Sequence, residues 1–228
     1  MIDKRVPDLA AALAGVEDGM TLMISGFGGS GAPVNLMRQL AAMSATNLTV
    51  VMNSLRFLEG QAPSLFEDAR IARAICSAFR GRGRDPSLYE RQWQAGDLEI
   101  ELVPQGTFSE RVRAGGAGIP AFFTPTAAGL ELAAGRETRD FGGRLCVLET
   151  ALSGDFALLR AAEADRMGNL RFRGSQANFG PGMATACKVA VAEVAAFSDD
   201  LLPPDQIGLS GVYIDRVVLA PETGEIRG

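Results

Sequence analysis

Short apolar runs alternate with helix-like segments in the first half of the chain. The apolar run 20–25 leads into a glycine-rich segment, 26–31, and the apolar positions after Pro33 recur at intervals of three and four residues. The next apolar run, 48–52, contains β-branched residues. These patterns predict a buried strand, a glycine loop, a helix over 34–43 and a second strand. Two strands joined through one helix form a βαβ unit with parallel strands.

The alternation continues along the chain. The further elements that the pattern predicts are a helix over 4–13, a strand over 70–77, a helix over 86–94, a strand over 98–103 and a helix over 108–113. Thr107 and Glu110 have the spacing of a capping box at the start of the last of these helices. The glycine-rich segment 115–118 is predicted to end it.

Strand-like runs crowd together beyond residue 144, with turn residues between them, which predicts antiparallel strands in this half. The runs are 145–148, 156–159 and 170–172, followed by two more at 189–194 and 212–219. The predicted fold class is therefore α/β, with an open, largely parallel, doubly wound sheet and an added antiparallel portion. Because no linker composition divides the chain, residues 1–228 are interpreted as one domain.

Composition narrows the range of functions. Of the 228 residues, 47% are hydrophobic and 21% are charged, which suits a globular core, and the net charge of −5 argues against nucleic-acid binding. The basic stretch 80–84 is interpreted first as a solvated loop and second as a contact for an anionic ligand or partner. No apolar stretch approaches the ~20 residues that cross a bilayer, and no secretory signal is recognisable. We therefore expect no membrane contact and a cytoplasmic location.

The chain contains no histidine. Ser–His and Cys–His nucleophile systems are therefore excluded, and the commonest zinc ligand is missing. The three cysteines, Cys76, Cys146 and Cys187, are far apart and form neither a disulfide framework nor a zinc spacing. We expect no metal site.

The glycine segment has the spacing G-x-G-x-x-G at Gly26, Gly28 and Gly31. A glycine-rich turn between a strand and a helix N-terminus suits an anion, an acyl group or a developing oxyanion. Two alternatives stay open: a dinucleotide site, and glycines that serve only to turn tightly. The dinucleotide site lacks the acidic residue expected about 20 residues further on, because that stretch offers Asn53 and Arg56 instead.

A second glycine-rich region has a recognisable sequence. Residues 103–107 read Val-Pro-Gln-Gly-Thr, and residues 113–120 read Arg-Ala-Gly-Gly-Ala-Gly-Ile-Pro. Together with 18–33, these segments strongly resemble the A subunit of the family I coenzyme A transferases, which includes the 3-oxoacid and 3-oxoadipate enzymes. The resemblance covers nearly the whole chain. It departs from the usual pattern at Ser25, where the family often has glycine, and over 208–211, which reads Gly-Leu-Ser-Gly instead of His-Thr-Pro-Gly.

The resemblance implies a ping-pong acyl transfer. A glutamate attacks the acyl-CoA, an enzyme-bound CoA thioester forms, and a second acid takes the CoA. In the family this glutamate lies in a Ser-Glu-Asn-Gly setting on a homologous B subunit, and no such tetrapeptide occurs here. The nearest carboxylates are Glu110, expected to be a capping or surface residue, and Glu59, which follows the second strand.

The implied assembly is a heterodimer or heterotetramer with the B subunit. It would move CoA from a donor such as succinyl-CoA to a 3-oxo acid, with CoA as a substrate and no resident cofactor. A catalytically silent module that binds acyl-CoA on the same fold is the alternative. An isomerase or a deacylase would need an acid/base residue of its own.

The resemblance also carries site residues over to this chain. Asn53 matches an asparagine near the acyl and CoA site, and Gln105 matches a substrate-side donor; for both, a role as a helix cap is the alternative. Arg56 is a candidate for pairing the second carboxylate of a dicarboxylic acceptor such as 3-oxoadipate. The residues expected at the cleft between the two chains of the assembly are Gly26, Phe27, Gly28, Gly31, Gly115, Gly116 and Gly118.

Overall fold

The structure is a computed structural model that describes residues 2–81 and 83–220. The predicted basic loop over 80–84 includes residue 82 and therefore lies partly outside the described residues. The strands are β1 (Arg5–Val6), β2 (Thr21–Ile24), β3 (Leu48–Met52), β4 (Ile71–Cys76), β5 (Glu99–Leu102), β6 (Ala121–Thr124), β7 (Thr138–Asp140), β8 (Leu145–Thr150), β9 (Gly154–Ala164), β10 (Leu170–Arg171), β11 (Cys187–Phe197) and β12 (Arg216–Leu219).

The main sheet has the strand order β1-β12-β11-β9-β2-β3-β4-β5, and each neighbouring pair in this order is parallel. The short strand β10 pairs with β9 in the antiparallel sense. A separate antiparallel sheet has the order β6-β8-β7. The predicted fold class, an open and largely parallel α/β sheet with an antiparallel portion, is confirmed.

Helices cover both faces of the main sheet. They are α1 (Leu9–Ala12), α2 (Val34–Ala42), α3 (Leu55–Gln61), α4 (Ser64–Glu67), α5 (Leu88–Ala95), α6 (Gln105–Gly116) and α7 (Gly180–Ala186). Leu22 and Ile24 of β2 pack in the apolar layer that α1–α5 cover, whereas Met23 packs in the layer that contains α6 and α7. Successive side chains of a strand point to opposite faces, so both faces of this central strand are buried.

The predicted βαβ unit is confirmed, with Thr21 of β2 opposite Thr49 of β3. The helix predicted over 4–13 is wrong at its start, because Arg5 and Val6 form the edge strand β1 beside β12. The helix begins only after Asp8, whose side chain accepts the N–H of Ala11 at 2.7 Å. Tertiary pairing at the sheet edge thus prevails over the local helical pattern.

The capping box predicted for Thr107 is also wrong. Helix α6 begins two residues earlier, at Gln105, and Thr107 is buried inside its first turn. Glu110 pairs instead with Arg113 on the helix surface at 2.7 Å, and this bond lowers the pKa of the Glu110 carboxyl. The helix also runs through Gly115 and Gly116 before it ends.

Antiparallel pairing is less extensive in the second half than the sequence predicts. The runs that became β9 and β11 are each eleven residues long and pair in parallel within the main sheet. The predicted strand over 212–219 starts only at Arg216, because residues 211–213 form a 3₁₀ turn. The short helices α3, α4 and α7 were not predicted, because their apolar positions are too few to show a helical period.

Several residues of the recognised motifs have structural roles. The carboxylate of Asp165 is fully buried and accepts the backbone N–H groups of Met167, Asn169 and Leu202 at 2.9 to 3.1 Å. Gly211 has no room for a side chain, because a Cβ there would lie 2.2 Å from the carbonyl oxygen of Met167. Gly208, where the chain departs from the family pattern, is also closely packed, because a Cβ there would lie 2.7 Å from the ring of Phe172.

Among the described residues, no helix combines the length and the apolar character that a bilayer crossing requires.

Candidate functional site

The candidate site lies at the carboxyl edge of the main sheet, where the strand order reverses. From β2 the chain continues to β3, β4 and β5 on one side, whereas β9, β11 and β12 lie on the other. Open α/β sheets bind ligands outside the carboxyl ends of the strands at such a point. The glycine segment follows β2, Asn53 follows β3 and Gln105 follows β5. The structure thus brings these three predicted regions to one edge.

The glycine segment forms a tight two-residue turn. Phe27 and Ser30 exchange two backbone hydrogen bonds of 3.0 Å around Gly28 and Gly29. Both glycines have positive φ, 58° and 93°, as a type I′ turn requires. The turn presents Phe27 with 51% of its surface exposed. Nothing lies within 4 Å of the position of a Cβ at Gly28.

A second segment, which sequence reasoning did not assign to the site, holds this turn. Asn178 accepts the N–H of Gly26 at 3.1 Å and donates to the carbonyl oxygen of Ser30 at 2.9 Å. The approach is close, because a Cβ at Gly31 would lie 2.2 Å from the carbonyl oxygen of Gln176. The only sequence signal was that Asn178 and Phe179 belong to the resemblance, without a role.

The N-terminus of α2, directly after the glycine segment, is occupied by a side chain of the protein. Glu193 on β11 accepts the N–H of Leu36 at 2.8 Å and the amide of Asn35 at 3.3 Å, and pairs with Arg160 at 2.9 Å. Burial raises the pKa of the Glu193 carboxyl, while these donors act in the opposite direction. The interpretation that an anion or a dinucleotide phosphate binds at this helix end, which the glycine spacing suggested, is therefore wrong. Contact between the glycine turn and a substrate stays a prediction.

Three side chains meet where β3, β4 and β5 end. The Oδ1 atom of Asn53 accepts the hydroxyl of Ser77 at 2.6 Å and the Nε2 amide of Gln105 at 3.0 Å. Ser77 follows β4, the strand between the other two. Asn53 is buried, with 4% of its surface exposed, and lies behind Gln105. The sequence identified Asn53 and Gln105 but not Ser77.

A groove of about 330 Å³ opens in front of Gln105. The residues that line it are Phe27, Gln105, Gly106, Ser109, Asn178 and Phe179. Gln105 and Gly106 form the first turn of α6, whose leading N–H groups have no acceptor within the helix. This helix end carries a partial positive charge, so the groove combines amide donors with a favourable field for an oxyanion.

Helix α6 is anchored from its middle. The buried guanidinium of Arg111 donates to the carbonyl oxygen of Thr150 at 2.7 Å and pairs with Glu101, and its own carbonyl accepts the N–H of Leu152 at 2.8 Å. These bonds tie the helix to β5 and to the end of β8. The position of Gln105 relative to Asn53 therefore depends on how α6 is held against β5 and the end of β8.

The described residues that line the groove include no carboxylate, cysteine, lysine or arginine, and the one hydroxyl among them is that of Ser109, for which the chain offers no histidine as a base. Glu59 accepts the N–H of Leu88 at 2.6 Å and thereby caps α5. Cys76 lies at the end of β4, but burial raises its thiol pKa to about 12, so the thiol stays protonated near neutral pH. The groove supplies donors and shape, and no carboxylate or thiol of the described residues lines it.

The structure does not bring Gly115, Gly116 and Gly118 to the groove. They lie at the opposite end of α6, about 15 Å along the helix axis from Gln105. A Cβ at Gly115 would lie 1.8 Å from the carbonyl oxygen of Leu152, and one at Gly116 would lie 1.9 Å from the Thr185 hydroxyl. Gly118 has a φ of +70° and ends the helix in a Schellman-type arrangement. Packing explains Gly115 and Gly116, and helix capping explains Gly118; their place at a cleft with the B subunit stays a prediction.

Arg56 lies in the first turn of α3, partly buried, and is not among the residues that line the groove. Its contact with an acceptor stays a prediction. Within the described residues, no group of three or more Cys, Asp or Glu side chains is placed to hold a metal ion.

Comparisons with known proteins identify the family of the chain. Residues 6–220 match the family described as "Coenzyme A transferase". The chain is 46% identical over 218 residues to the A subunit of the succinyl-CoA:3-ketoacid coenzyme A transferase of Xanthomonas campestris pv. campestris, covering 95% of this chain and 88% of the relative. It is 41% identical to the A subunit of the 3-oxoadipate CoA-transferase of Pseudomonas putida, covering 96% and 94%.

One solved structure with a similar fold is that of a decarboxylase. The crystal structure of the decarboxylase AibA/AibB has a TM-score of 0.79 and 28% identity, covering 97% of this chain and 84% of that chain. The family match and the two relatives extend over nearly the whole chain. The chain therefore belongs to the coenzyme A transferase family.

Proposed function

We propose that this chain is the A subunit of a two-subunit coenzyme A transferase. The assembly moves CoA from an acyl-CoA donor, such as succinyl-CoA, to a 3-oxo acid. The name of the Xanthomonas relative supports this donor, and the names of both relatives support this class of acceptor. CoA enters as a substrate, and the partner is a homologous B subunit in a heterodimer or heterotetramer.

One observation carries the proposal. The groove contains amide donors and the N-terminus of α6, but the described residues that line it include no carboxylate that could act as the nucleophile. Such a site polarises a thioester carbonyl and leaves the attack to another chain. We infer that a glutamate of the B subunit makes this attack, and that Gln105 and the first-turn N–H groups of α6 stabilise the oxyanion that develops.

The reaction then proceeds through two acyl exchanges. The partner's carboxylate adds to the thioester carbonyl, CoA leaves as a thiolate, and an acyl-glutamyl anhydride remains. The thiolate attacks the glutamyl carbonyl of this anhydride and releases the first acid, which gives the enzyme thioester. The same steps in reverse, with the second acid, return the glutamate and release the new acyl-CoA. No step needs a histidine, which agrees with the composition.

The first experiment measures CoA transfer by this chain alone and after co-expression with the B subunit. Succinyl-CoA is offered with acetoacetate or 3-oxoadipate. Gln105→Ala is expected to lower kcat/KM about 100-fold, the effect of removing one oxyanion donor. Gln94→Ala, the same change on the exposed surface of α5, is the matched control.

The outcomes separate the alternatives. Activity only in the complex, and sensitive to Gln105, supports the proposal. Binding of acyl-CoA without transfer would favour the silent module instead. Unchanged preference between acetoacetate and 3-oxoadipate in an Arg56→Ala complex would refute the contact between Arg56 and a second carboxylate.

A further inference from the structure

We propose that Ser77 is a positioning residue that sets which end of the Gln105 carboxamide faces the groove. The inference rests on the proposed function, because it concerns the donor that meets the thioester oxygen. Ser77 does not line the groove; it acts through Asn53, whose Oδ1 atom accepts both the Ser77 hydroxyl and the Gln105 amide.

A pair of carboxamides can bond in two ways. In the observed arrangement Gln105 donates its Nε2 to Asn53 Oδ1 at 3.0 Å. If both amides were reversed, Asn53 would donate its Nδ2 to the Gln105 oxygen, and the hydrogen bond between them would be retained. The reversed pair would exchange the amide and the carbonyl of Gln105 with respect to the groove. The two residues alone do not select the arrangement that catalysis needs.

Ser77 selects between the two arrangements. Its Oγ atom lies 2.6 Å from Asn53 Oδ1, a distance typical of an O–H···O bond and shorter than the usual N–H···O range. In the reversed arrangement, the Ser77 proton would need another acceptor. The nearest is the backbone carbonyl of Asn53 at 3.4 Å, which already accepts the N–H groups of Ser77 and Ala78 at 3.2 and 2.8 Å.

Both acceptor positions of Asn53 Oδ1 are therefore filled by fixed donors, one from the end of β4 and one from the start of α6. Asn53 is buried, so water does not compete freely for these bonds. The arrangement holds Gln105 Nε2 with one N–H on Asn53 and leaves its second N–H for the substrate.

The test compares Ser77→Ala, Ser77→Cys and Ser77→Thr in the complex with the B subunit. Ser77→Ala is expected to lower kcat about five- to ten-fold, the factor that one neutral hydrogen bond accounts for, with little change in the KM for acyl-CoA. Ser77→Cys keeps the volume but has a weak donor, so it should resemble Ser77→Ala. Ser77→Thr keeps the hydroxyl and should restore most of the activity. Ser64→Ala, which loses a hydroxyl bond to Ala41 away from the site, is the control.

A double-mutant cycle separates positioning from general damage. If Ser77 acts through Asn53, Ser77→Ala in an Asn53→Ala background should change kcat by less than about two-fold. A full additional loss in that background, or a Ser77→Ala complex as active as the Ser64→Ala control, would overturn the inference. If Asn53→Ala and Gln105→Ala are themselves fully active, the proposed function fails as well. If only Ser77→Ala is fully active, the positioning role alone fails.

Discussion

Gly31 packs closely against the 174–178 segment, and this contact allows the effect of Gly31→Ala on stability to be predicted. In Gly31→Ala, the new Cβ would lie 2.2 Å from the carbonyl oxygen of Gln176 and 2.9 Å from Asn178 Nδ2. The two segments must separate by about 1 Å to reach an ordinary contact distance, because neither backbone can yield alone. This movement breaks the bonds of Asn178 to Gly26 and Ser30.

The expected loss follows from these contacts. An alanine at φ +70° costs about 1 kcal/mol in backbone strain, and the two Asn178 bonds contribute about 1 kcal/mol each. With the residual clash, the free energy of unfolding should fall by about 3–5 kcal/mol. Gly28→Ala is the matched control, because Gly28 also has positive φ but has no atom within 4 Å of the Cβ position. Its loss should be about 1 kcal/mol.

Denaturant unfolding of both variants in the complex measures the difference. The Gly31→Ala complex should also lose transfer activity, because the turn that presents Phe27 moves away from Phe179. Equal losses of stability in the two variants would refute the argument that the glycine segment packs closely against the 174–178 segment.

Three further predictions concern carboxylates. Asp165→Asn should lower the free energy of unfolding by about 3 kcal/mol in denaturant unfolding, because three backbone donors share this buried carboxylate. Glu59→Gln and Glu110→Gln should keep full transfer activity, which steady-state assays of the two complexes check. Lys188 lowers the pKa of Asp155, so this carboxylate stabilises the fold above its unfolded pKa of ~4 and less below it. Unfolding of Asp155→Asn across pH should show a difference from wild type that disappears as pH falls.

The sequence predicted the parts of the fold that depend on local pattern. The segment from β2 to α2 has a clear hydrophobic period and is interrupted by glycines and a proline. Its predicted boundaries agree with the observed ones within one or two residues. The edge strand β1 was missed because its two residues are stabilised by pairing with β12, about 210 positions away. Pairing over such a separation leaves no local signal.

The site was predicted in part, for a similar reason. Asn53 and Gln105 were identified from the resemblance, and the structure places them in contact. Ser77 and Asn178 were not identified, because their roles depend on neighbours brought together by the sheet order and by the close approach of two loops. The occupied N-terminus of α2 was missed because Glu193 lies more than 150 residues from the helix that it caps.

The central claim is that this chain supplies half of a site and that the nucleophile lies on the B subunit. The most direct measurement incubates the complex with succinyl-CoA, reduces the enzyme thioester with borohydride and determines by mass spectrometry which chain is modified. The account predicts modification of a glutamate on the B subunit, with none on this chain. Modification of this chain, with Glu59 and Glu110 as the first residues to examine, would contradict it.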